Sequence, residues 1–361
     1  MMSTDVHRVV VLAPNWLGDA VMALPALRDL RNHFAGARLA VAARSSIARL
    51  FDCVPGVDEI VVLRSEGGSS VVRSGRGEVE ALREGRFDVA ILCPNSFHAA
   101  WLVRRAGVPE RWGYRADFRG PLLTRAVRRP GTKVHFGAYY QNLVRELGTE
   151  TGPLAPRVKV PQSNHDAAKQ ILERDGWTPA ETLVGIAPGA AYGHAKRWPP
   201  GRFAELVRLL WDESGAACVL LGRPADRDAG QEILAALDRS ADGRVAGRLI
   251  NLIGQTDLLL LMGVMSHCRA FVANDSGALH LAAAIGLPVA AMYGPTDERY
   301  SAPLAIEERS EGQIAVFTEP VWCRPCGLRE CPIDHRCMTR IPASRVFEAV
   351  RTHISMTEGS P

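Results

Sequence analysis

The sequence predicts an α/β protein built from two doubly wound parallel sheets. Short apolar runs that suit buried strands alternate with helical patterns along most of the 361 residues. Residues 149–162 carry three prolines and no periodicity, which is typical of a linker between two such series. We therefore expect an N-terminal domain over residues 1–155, a C-terminal domain over 156–341, and a terminal helix and tail over 342–361.

In the N-terminal half, the continuous apolar run 6–13 predicts the first buried strand. A helix from Asp19 to about Phe34 follows, and Gly148 is well placed to end the last helix of this half. The remaining predicted elements are strands over 38–43, 59–63 and 87–93, and helices from Ser45, over 96–106 and over 135–147.

The second half repeats the alternation without an evident sequence repeat. Its predicted strands cover 183–187, 217–222 and 249–252. Its predicted helices cover 164–175, 200–212, 226–237, 257–266 and 344–353.

Residues 269–297 form the most informative stretch. A short apolar strand over 270–273 runs into the polar turn Asn274–Gly277, a helix over 278–285 ends at Gly286, and a second strand covers 287–293. A helix that starts at Ser276 and Gly277 offers unpaired N–H groups, so this turn predicts a phosphate site that His280 can also face. Because no glycine-rich nucleotide motif accompanies the turn, a helix capped by Asp275 explains it equally well.

Three more turns follow predicted strands. Asp19 stands at a helix start, where it serves either as a cap or as a general base. The loop 187–199 contains Gly189 and ends in Lys196 and Arg197, so it can wrap a diphosphate or simply be a basic surface loop. Asp226, after the next strand, is a weaker candidate for accepting ribose hydroxyls, since Asp228 qualifies as well.

Basic residues are concentrated in residues 104–133, where nine Arg and Lys residues stand against Glu110 and Asp117. Trp112, Tyr114 and Phe118 lie among them. Such a segment suits an anionic partner, namely a phosphorylated substrate, an acidic lipid surface or nucleic acid. A solvated basic face is the open alternative.

No apolar run is long enough to span a membrane, and the N-terminus has no usable signal peptide. We therefore expect a cytoplasmic protein.

The eight cysteines fall into two groups. Those at 53, 93, 218 and 268 are isolated in apolar surroundings and are expected to be buried thiols. Cys323, Cys326, Cys331 and Cys337 follow the spacing C-x2-C-x4-C-x5-C, which predicts a structural Zn²⁺ held by four thiolates. An iron–sulfur cluster and an unligated reduced loop are the alternatives.

Four segments appear in the order of a known family: APNWLGDAVMALPALRDL, LCPNSF, IAPGAAYGHAKRWPPGRFAEL and VANDSGALHLAAAIGLPVAAMYGPT. They resemble the lipopolysaccharide heptosyltransferases of glycosyltransferase family 9, closest to the heptosyltransferase II type. The resemblance implies the GT-B architecture, with two Rossmann-like domains that face each other across a cleft. It also implies inverting transfer of heptose from ADP-L-glycero-D-manno-heptose to a heptose-Kdo-lipid A acceptor, with no required cofactor.

The resemblance carries over to individual residues. Asp19 matches the proposed base, and Lys196 matches a lysine that contacts donor phosphate. Asp275, Ser276, Gly277 and His280 match a motif around the donor diphosphate. With them we assign Gly189 and Asp226 to the donor, and Asn15, Trp16, Asn95 and Arg115 to the acceptor.

The implied protein works at the cytoplasmic face of the inner membrane, in peripheral contact with it, and nucleic acid is not expected as a partner. A heptosyltransferase of type I or III, or a related GT-B enzyme, is the alternative within the class. A metal-binding protein associated with nucleic acid or membrane is the alternative outside it.

Overall fold

The computed structural model describes residues 6–64, 75–238, 248–306 and 313–358. The chain divides into two compact units, Met1–Lys159 and Val160–Pro361. This division lies slightly later than the predicted boundary after residue 155. No helix of the described residues is both long enough and apolar enough to cross a bilayer.

The first unit consists of one parallel sheet and the helices around it. Its strands are β1 (Arg8–Leu12), β2 (Arg38–Arg44), β3 (Glu59–Leu63), β4 (Val89–Leu92), β5 (Glu110–Tyr114) and β6 (Arg125–Val127). Its helices are α1 (Leu17–Met22), α2 (Leu24–His33), α3 (Ser45–Ala48), α4 (Arg76–Glu84), α5 (Phe97–Arg105) and α6 (Phe136–Glu146).

The strand order of this sheet is β3-β2-β1-β4-β5-β6, and every pairing is parallel. In the central strand β1, Val10 pairs with Ala40 on one side and Ala90 on the other. Helices cover both faces of such a sheet, which explains why β1 is a continuous apolar run rather than an alternating one. The buried cluster around Val10 forms one core of the unit.

Two features of this unit differ from the sequence-based expectation. The helix predicted from Asp19 begins earlier, at Leu17, and is interrupted at Ala23. Pro25 explains the interruption, because it has no N–H to donate to the carbonyl four residues before it. Strands β5 and β6 were not predicted, since charged residues and Gly113 hide the buried Trp112 and Tyr114 from a search for apolar runs.

The second unit is built in the same way. Its strands are β7 (Leu183–Ala187), β8 (Ala217–Leu220), β9 (Leu249–Asn251), β10 (Ala270–Asn274), β11 (Val289–Met292) and β12 (Ile314–Phe317). Its helices are α7 (Gln162–Arg174), α8 (Pro200–Ser214), α9 (Arg227–Asp238), α10 (Leu258–Met265), α11 (Gly277–Ile285), α12 (Glu298–Ser301), α13 (Arg336–Thr339) and α14 (Ala343–Glu358).

The terminal helix α14 belongs to this unit. It packs against α8, β10 and β11. Val346, Phe347 and Val350 lie on its inner face, in the same buried cluster as Phe203 and Val272. The core is therefore incomplete without the end of the chain. The short edge strand β12 was missed because its residues are mostly half-buried and its run is only four residues long.

The two sheets share one topology. The order in the second is β12-β11-β10-β7-β8-β9, again with every pairing parallel. In each unit the chain builds three strands outward in one direction and then crosses to build three in the other. The crossing points lie between β1 and β4 and between β7 and β10. Open α/β sheets bind ligands beyond the carboxyl ends of the strands at such a point, and the prediction of two doubly wound sheets is confirmed.

Candidate active site

A buried ion pair stands where β7 and β10 end. Nζ of Lys196 lies 2.5 Å from Oδ2 of Asp275, and both side chains are largely shielded from solvent. Lys196 closes a short 3-10 turn after β7, and Asp275 is the first residue after β10. Oδ2 also accepts a hydrogen bond of 2.7 Å from Oγ1 of Thr296, which follows β11. Three adjacent strands thus bring a cation, a carboxylate and a hydroxyl together at one point of the sheet edge.

The ion pair orients the lysine and leaves it able to bind a further anion. An ammonium group has three N–H donors, and Asp275 can take only part of that capacity. The ring of Tyr192 lies 5.0 Å from Nζ and adds a cation–π contact. His280 is buried on the other side of the carboxylate, with Nε2 4.0 Å from Oδ1 of Asp275.

The start of α11 follows directly after the ion pair. Ser276 is the N-cap residue, yet its side chain caps no backbone N–H. Its Oγ is buried and has no hydrogen-bond partner among the described residues. Helix α11 begins at Gly277, and its first N–H groups have no acceptor within the helix and carry partial positive charge. A buried hydroxyl without a partner indicates a missing polar group, and a phosphate oxygen meets this requirement.

Asn274 fixes the turns around this site, although it was not among the predicted site residues. Its side chain is fully buried at the end of β10. Oδ1 accepts a hydrogen bond of 2.9 Å from the backbone N–H of Trp198, and Nδ2 donates one of 2.8 Å to the carbonyl of Pro188. One side chain thereby holds both ends of the loop that contains Lys196. Its position in the sequence, just before Asp275, is the feature from which its role in the site could have been predicted.

Gly189 and Asp226 are in contact with each other. A Cβ atom on Gly189 would stand 2.3 Å from Cγ of Asp226, so a side chain does not fit. Asp226 is buried, and its Oδ2 accepts a hydrogen bond of 3.0 Å from the N–H of Arg223. Its Oδ1 lies 3.5 Å from Nη2 of Arg197 but accepts no hydrogen bond from the described residues. The carboxylate that was expected to be open to a ribose is therefore enclosed, with one oxygen still unsatisfied.

The cysteine-rich segment, residues 322–338, lies against the turn that carries Lys196. The backbone N–H of Ala195 donates a hydrogen bond of 2.9 Å to the carbonyl of Arg329. The hydroxyl of Tyr192 donates a hydrogen bond of 2.8 Å to the carbonyl of Gly327. A ring nitrogen of His335 lies 2.7 Å from the carbonyl of Ala195. The segment therefore forms a wall of the lysine turn.

The four cysteines of this segment differ in exposure. Cys326 and Cys331 are exposed, Cys323 is half-buried and Cys337 is buried. Burial raises the pKa of the Cys337 thiol to about 11, and the neighbouring Cys331 adds to the effect. Among the described residues no group of three or more His, Cys, Asp or Glu side chains is arranged to hold a metal ion. The predicted Zn²⁺ site therefore receives no support from the geometry.

In the first unit, the turn after β1 carries three of the predicted residues. Asn15 is exposed and accepts a hydrogen bond of 2.9 Å from Nε of Arg44, at the end of β2. Trp16 precedes α1 and is 59% exposed. Asp19 lies in the first turn of α1 and is half-buried. Burial raises the pKa of Tyr140, and the nearby Asp19 carboxylate raises it further, so the two side chains are neighbours.

The turn after β4 is tied to its neighbours by Asn95 and Arg119. Asn95 donates a hydrogen bond of 3.0 Å to the hydroxyl of Tyr139. Arg119 is fully buried. Its guanidinium donates a hydrogen bond of 2.9 Å to the carbonyl of Tyr114, and it donates another to the carbonyl of Pro94. Burial lowers the pKa of Arg119 to about 10. In the sequence, nothing distinguishes this arginine from the surface charges of the basic segment.

The basic segment 104–133 does not form one surface. Parallel strands begin at one edge of the sheet and end at the other, so the segment is divided between the two edges. Near the strand starts lie Arg104, Arg105, Arg111 and Arg125. Near the strand ends lie Arg115, Arg119, Arg128, Arg129 and Lys133. Trp112 and Tyr114 are buried, whereas Phe118 is exposed.

The chain is similar to proteins of known activity. Residues 78–336 match the family model for glycosyltransferase family 9 (heptosyltransferase). Lipopolysaccharide heptosyltransferase 2 of Escherichia coli is 32% identical over 310 residues, which cover 84% of this chain and 87% of the relative. Lipooligosaccharide heptosyltransferase 2 of Haemophilus influenzae is 28% identical, covering 82% and 86%. The solved structure of the E. coli ADP-heptose LPS heptosyltransferase II matches with a TM-score of 0.81 at 29% identity, covering 98% of this chain and 100% of that one.

Proposed function

The chain belongs to glycosyltransferase family 9, and we propose that it moves heptose from ADP-L-glycero-D-manno-heptose to a heptose-Kdo-lipid A acceptor of the lipopolysaccharide inner core. The resemblance carried by the four sequence motifs is thus confirmed at the level of the family. It is a glycosyltransferase, and relatives named heptosyltransferase 2 match it over most of its length. The observation that best supports donor binding is the buried hydroxyl of Ser276, for which the described residues offer no hydrogen-bond partner, beside the Lys196–Asp275 pair.

The donor diphosphate binds at the start of α11. Its oxygens accept hydrogen bonds from Oγ of Ser276 and from the N–H groups that begin with Gly277. Lys196 contributes positive charge from the neighbouring turn, where Asp275 holds its ammonium group. Asp226 offers Oδ1, which accepts no hydrogen bond from the described residues, to a hydroxyl of the nucleoside.

The acceptor binds at the turns of the first unit. Asn15 and Asn95 present amides at the carboxyl ends of β1 and β4, Trp16 offers a ring for stacking on a sugar, and Arg115 offers a cation to the acidic Kdo. Asp19, in the first turn of α1 at the crossing point of the sheet, serves as the general base.

The reaction is a single displacement. An acceptor hydroxyl oxygen attacks the anomeric carbon, its proton passes to Asp19, and the bond from that carbon to the ADP oxygen breaks with inversion. Positive charge builds on the sugar ring as in other glycosyl transfers. Negative charge builds on ADP, where Lys196 and the helix start stabilise it.

No resident metal takes part in this mechanism, and we propose that transfer persists after chelation. Zinc at Cys323, Cys326, Cys331 and Cys337 stays a prediction based on their spacing. Metal analysis of anaerobically purified protein tests it. Stoichiometric zinc would support the predicted zinc site, and its absence would contradict that prediction.

The site of action follows from the acceptor. Because lipid A is anchored in a membrane, we propose that the enzyme works in the cytoplasm and touches the inner membrane peripherally.

Purified protein, ADP-heptose and two acceptors test the assignment. One acceptor is Kdo-lipid A without heptose, and the other carries the first heptose. We expect mass spectrometry to find one added heptose on the second acceptor only. Addition to the first acceptor would indicate type I, and addition only to more extended acceptors would indicate type III.

A binding measurement separates this function from the alternative outside the class. ADP-heptose should raise the melting temperature of the protein, whereas a nucleic acid of equal charge should not. Stabilisation by nucleic acid alone would argue for the alternative.

A further inference from the structure

Phe118 is held in an exposed and unfavourable conformation. It is 97% exposed, the largest value among the exposed large hydrophobic side chains of the described residues. Its φ angle is 57°, and that of Asp117 before it is 45°. Left-handed backbone costs free energy for any residue with a Cβ atom, and a bulky residue there is an outlier. The ring itself makes too little contact to offset this cost.

The neighbouring arginine keeps the loop in this shape. The buried guanidinium of Arg119 is bound by the carbonyls of Tyr114 and Pro94. The backbone N–H of Arg115 donates a hydrogen bond of 2.6 Å to the carbonyl of Val127 at the end of β6. The loop is thus fixed at both ends of Phe118, which points outward from a rigid base. Strain that the surroundings maintain in this way indicates a function.

Other exposed aromatic side chains share the same edge of the sheet. Trp16 follows β1, Phe97 follows β4, and Phe136 begins the helix after β6, with exposures of 59%, 49% and 43%. The carboxyl ends of parallel strands meet at one edge. We call Phe97, Phe118 and Phe136 the aromatic edge and leave out Trp16, which is assigned to the acceptor.

The aromatic edge carries positive charge. The loops after β5 and β6, residues 115–124 and 128–135, contain the exposed cations Arg115, Arg128, Arg129 and Lys133. Asp117 is the one acidic residue of these two loops. Exposed aromatic rings among Arg and Lys are typical of proteins that lie on an anionic membrane surface.

We propose that the aromatic edge docks on an anionic phospholipid bilayer, with Phe118 inserted among the lipids and Arg128, Arg129 and Lys133 against the headgroups. This proposal rests on the proposed function, because a lipid-anchored acceptor requires the acceptor-binding unit to reach the bilayer. The charge of the loops favours an anionic bilayer over a neutral surface.

Co-sedimentation with vesicles tests the proposal. Wild-type protein should bind vesicles of phosphatidylglycerol and phosphatidylcholine more tightly than vesicles of phosphatidylcholine alone. Phe118→Asn should weaken binding to the anionic vesicles about tenfold, because it removes a large apolar side chain. Asparagine tolerates left-handed backbone, so the variant should keep or raise the melting temperature. Trp322→Asn, which removes an exposed ring from the second unit, should bind as wild type does.

Two further measurements separate the outcomes. The ratio of transfer to a vesicle-embedded acceptor over transfer to a deacylated, water-soluble acceptor should fall about tenfold in Phe118→Asn. Unchanged vesicle binding by this variant overturns the docking proposal, even where transfer to the soluble acceptor upholds the enzyme function. Failure of wild type to use the soluble acceptor contradicts the enzyme function independently of vesicle binding. Tighter binding to RNA than to vesicles, or a dimer that Phe118→Asn dissociates, assigns the edge to another partner and also overturns the proposal.

Discussion

Lys196 and Asp275 form an ion pair of 2.5 Å in which neither side chain is substantially exposed. The residues are 79 positions apart and come from the turns after β7 and β10. Removing one charge leaves the other without its partner in a poorly solvated place. The pair therefore affects stability as well as donor binding, and variants can separate the two effects.

We expect Lys196→Met to lower the free energy of unfolding by about 3 kcal/mol and kcat by about 100-fold. Adding Asp275→Asn should restore most of the stability, because no uncompensated carboxylate remains, but should not restore kcat. Urea unfolding and initial rates measure the two quantities. Lys169→Met is a matched control, since Lys169 is an exposed lysine of the same unit. Recovery of kcat in the double variant would contradict a role for the lysine charge in catalysis.

Asp19→Asn should lower kcat by between about 100-fold and 10,000-fold, as loss of a general base does. The proposed base takes up a proton only as the acceptor attacks, so the ground-state affinity for ADP-heptose should stay within about twofold. Asp52→Asn, which changes an exposed carboxylate of the first unit, serves as the control. Single-turnover rates and calorimetric titration with ADP-heptose check both statements. Full activity of Asp19→Asn would remove the proposed base.

Asn274→Ala should destabilise the second unit by about 3 kcal/mol, because it leaves the buried N–H of Trp198 and the carbonyl of Pro188 without partners. The loop with Lys196 loses its attachment at both ends, so KM for ADP-heptose should rise as well. Urea unfolding monitored by tryptophan fluorescence, together with steady-state kinetics, measures these effects. A loss below about 1 kcal/mol would show that water replaces the amide.

Gly189→Ala should lower the melting temperature, since its Cβ atom would collide with the Asp226 carboxylate. Gly201→Ala is the control, because nothing lies within 4 Å of a Cβ at that position in α8. It should stabilise the protein by about 0.5 kcal/mol through the better helix propensity of alanine. Equal melting temperatures for the two variants would mean that Asp226 moves aside readily.

Stability should fall as the pH rises above 9. Burial raises the pKa of Cys218 to about 12, from a value of 9.0 in the absence of burial. Between these values the unfolded chain loses the thiol proton and the folded chain keeps it, so the unfolded state is favoured increasingly as pH rises. Below pH 9 the contribution of this thiol is fully present. Each unit of pH can cost about 1.4 kcal/mol for one such thiol.

Urea unfolding at a series of pH values tests this expectation. Cys218→Ala should be less stable than wild type at pH 8, and the difference should shrink toward pH 11. Other titrating groups affect both proteins alike, so the difference isolates the thiol. A constant difference across the series would contradict the linkage.

The sequence predicted both sheets and most of their elements because buried parallel strands are apolar on both faces. It could not show that Lys196 meets Asp275, since this contact depends on β7 lying beside β10. Thr296 was missed for the same reason. Only the strand order brings the turn after β11 to this point.

The charges were harder to interpret than the motifs. Arg119 appears in the sequence as one more basic residue, but backbone carbonyls accept its hydrogen bonds and hold it inside the unit. Composition cannot distinguish such a residue from Arg115 or Arg129, which are exposed. Similarly, the spacing of the cysteines is compatible with a metal site, but spacing does not fix the directions of the side chains.

The contacts of the cysteine-rich segment also bear on how the enzyme is made. His335 reaches Ala195 across 140 positions of the chain, so the lysine turn lacks part of its wall until the ribosome has delivered that histidine. Contacts between such distant positions form late. A nascent chain therefore completes its site for the nucleotide sugar only when synthesis is nearly finished, and a chain that terminates before the segment would lack both this wall and the helix α14 that completes the core.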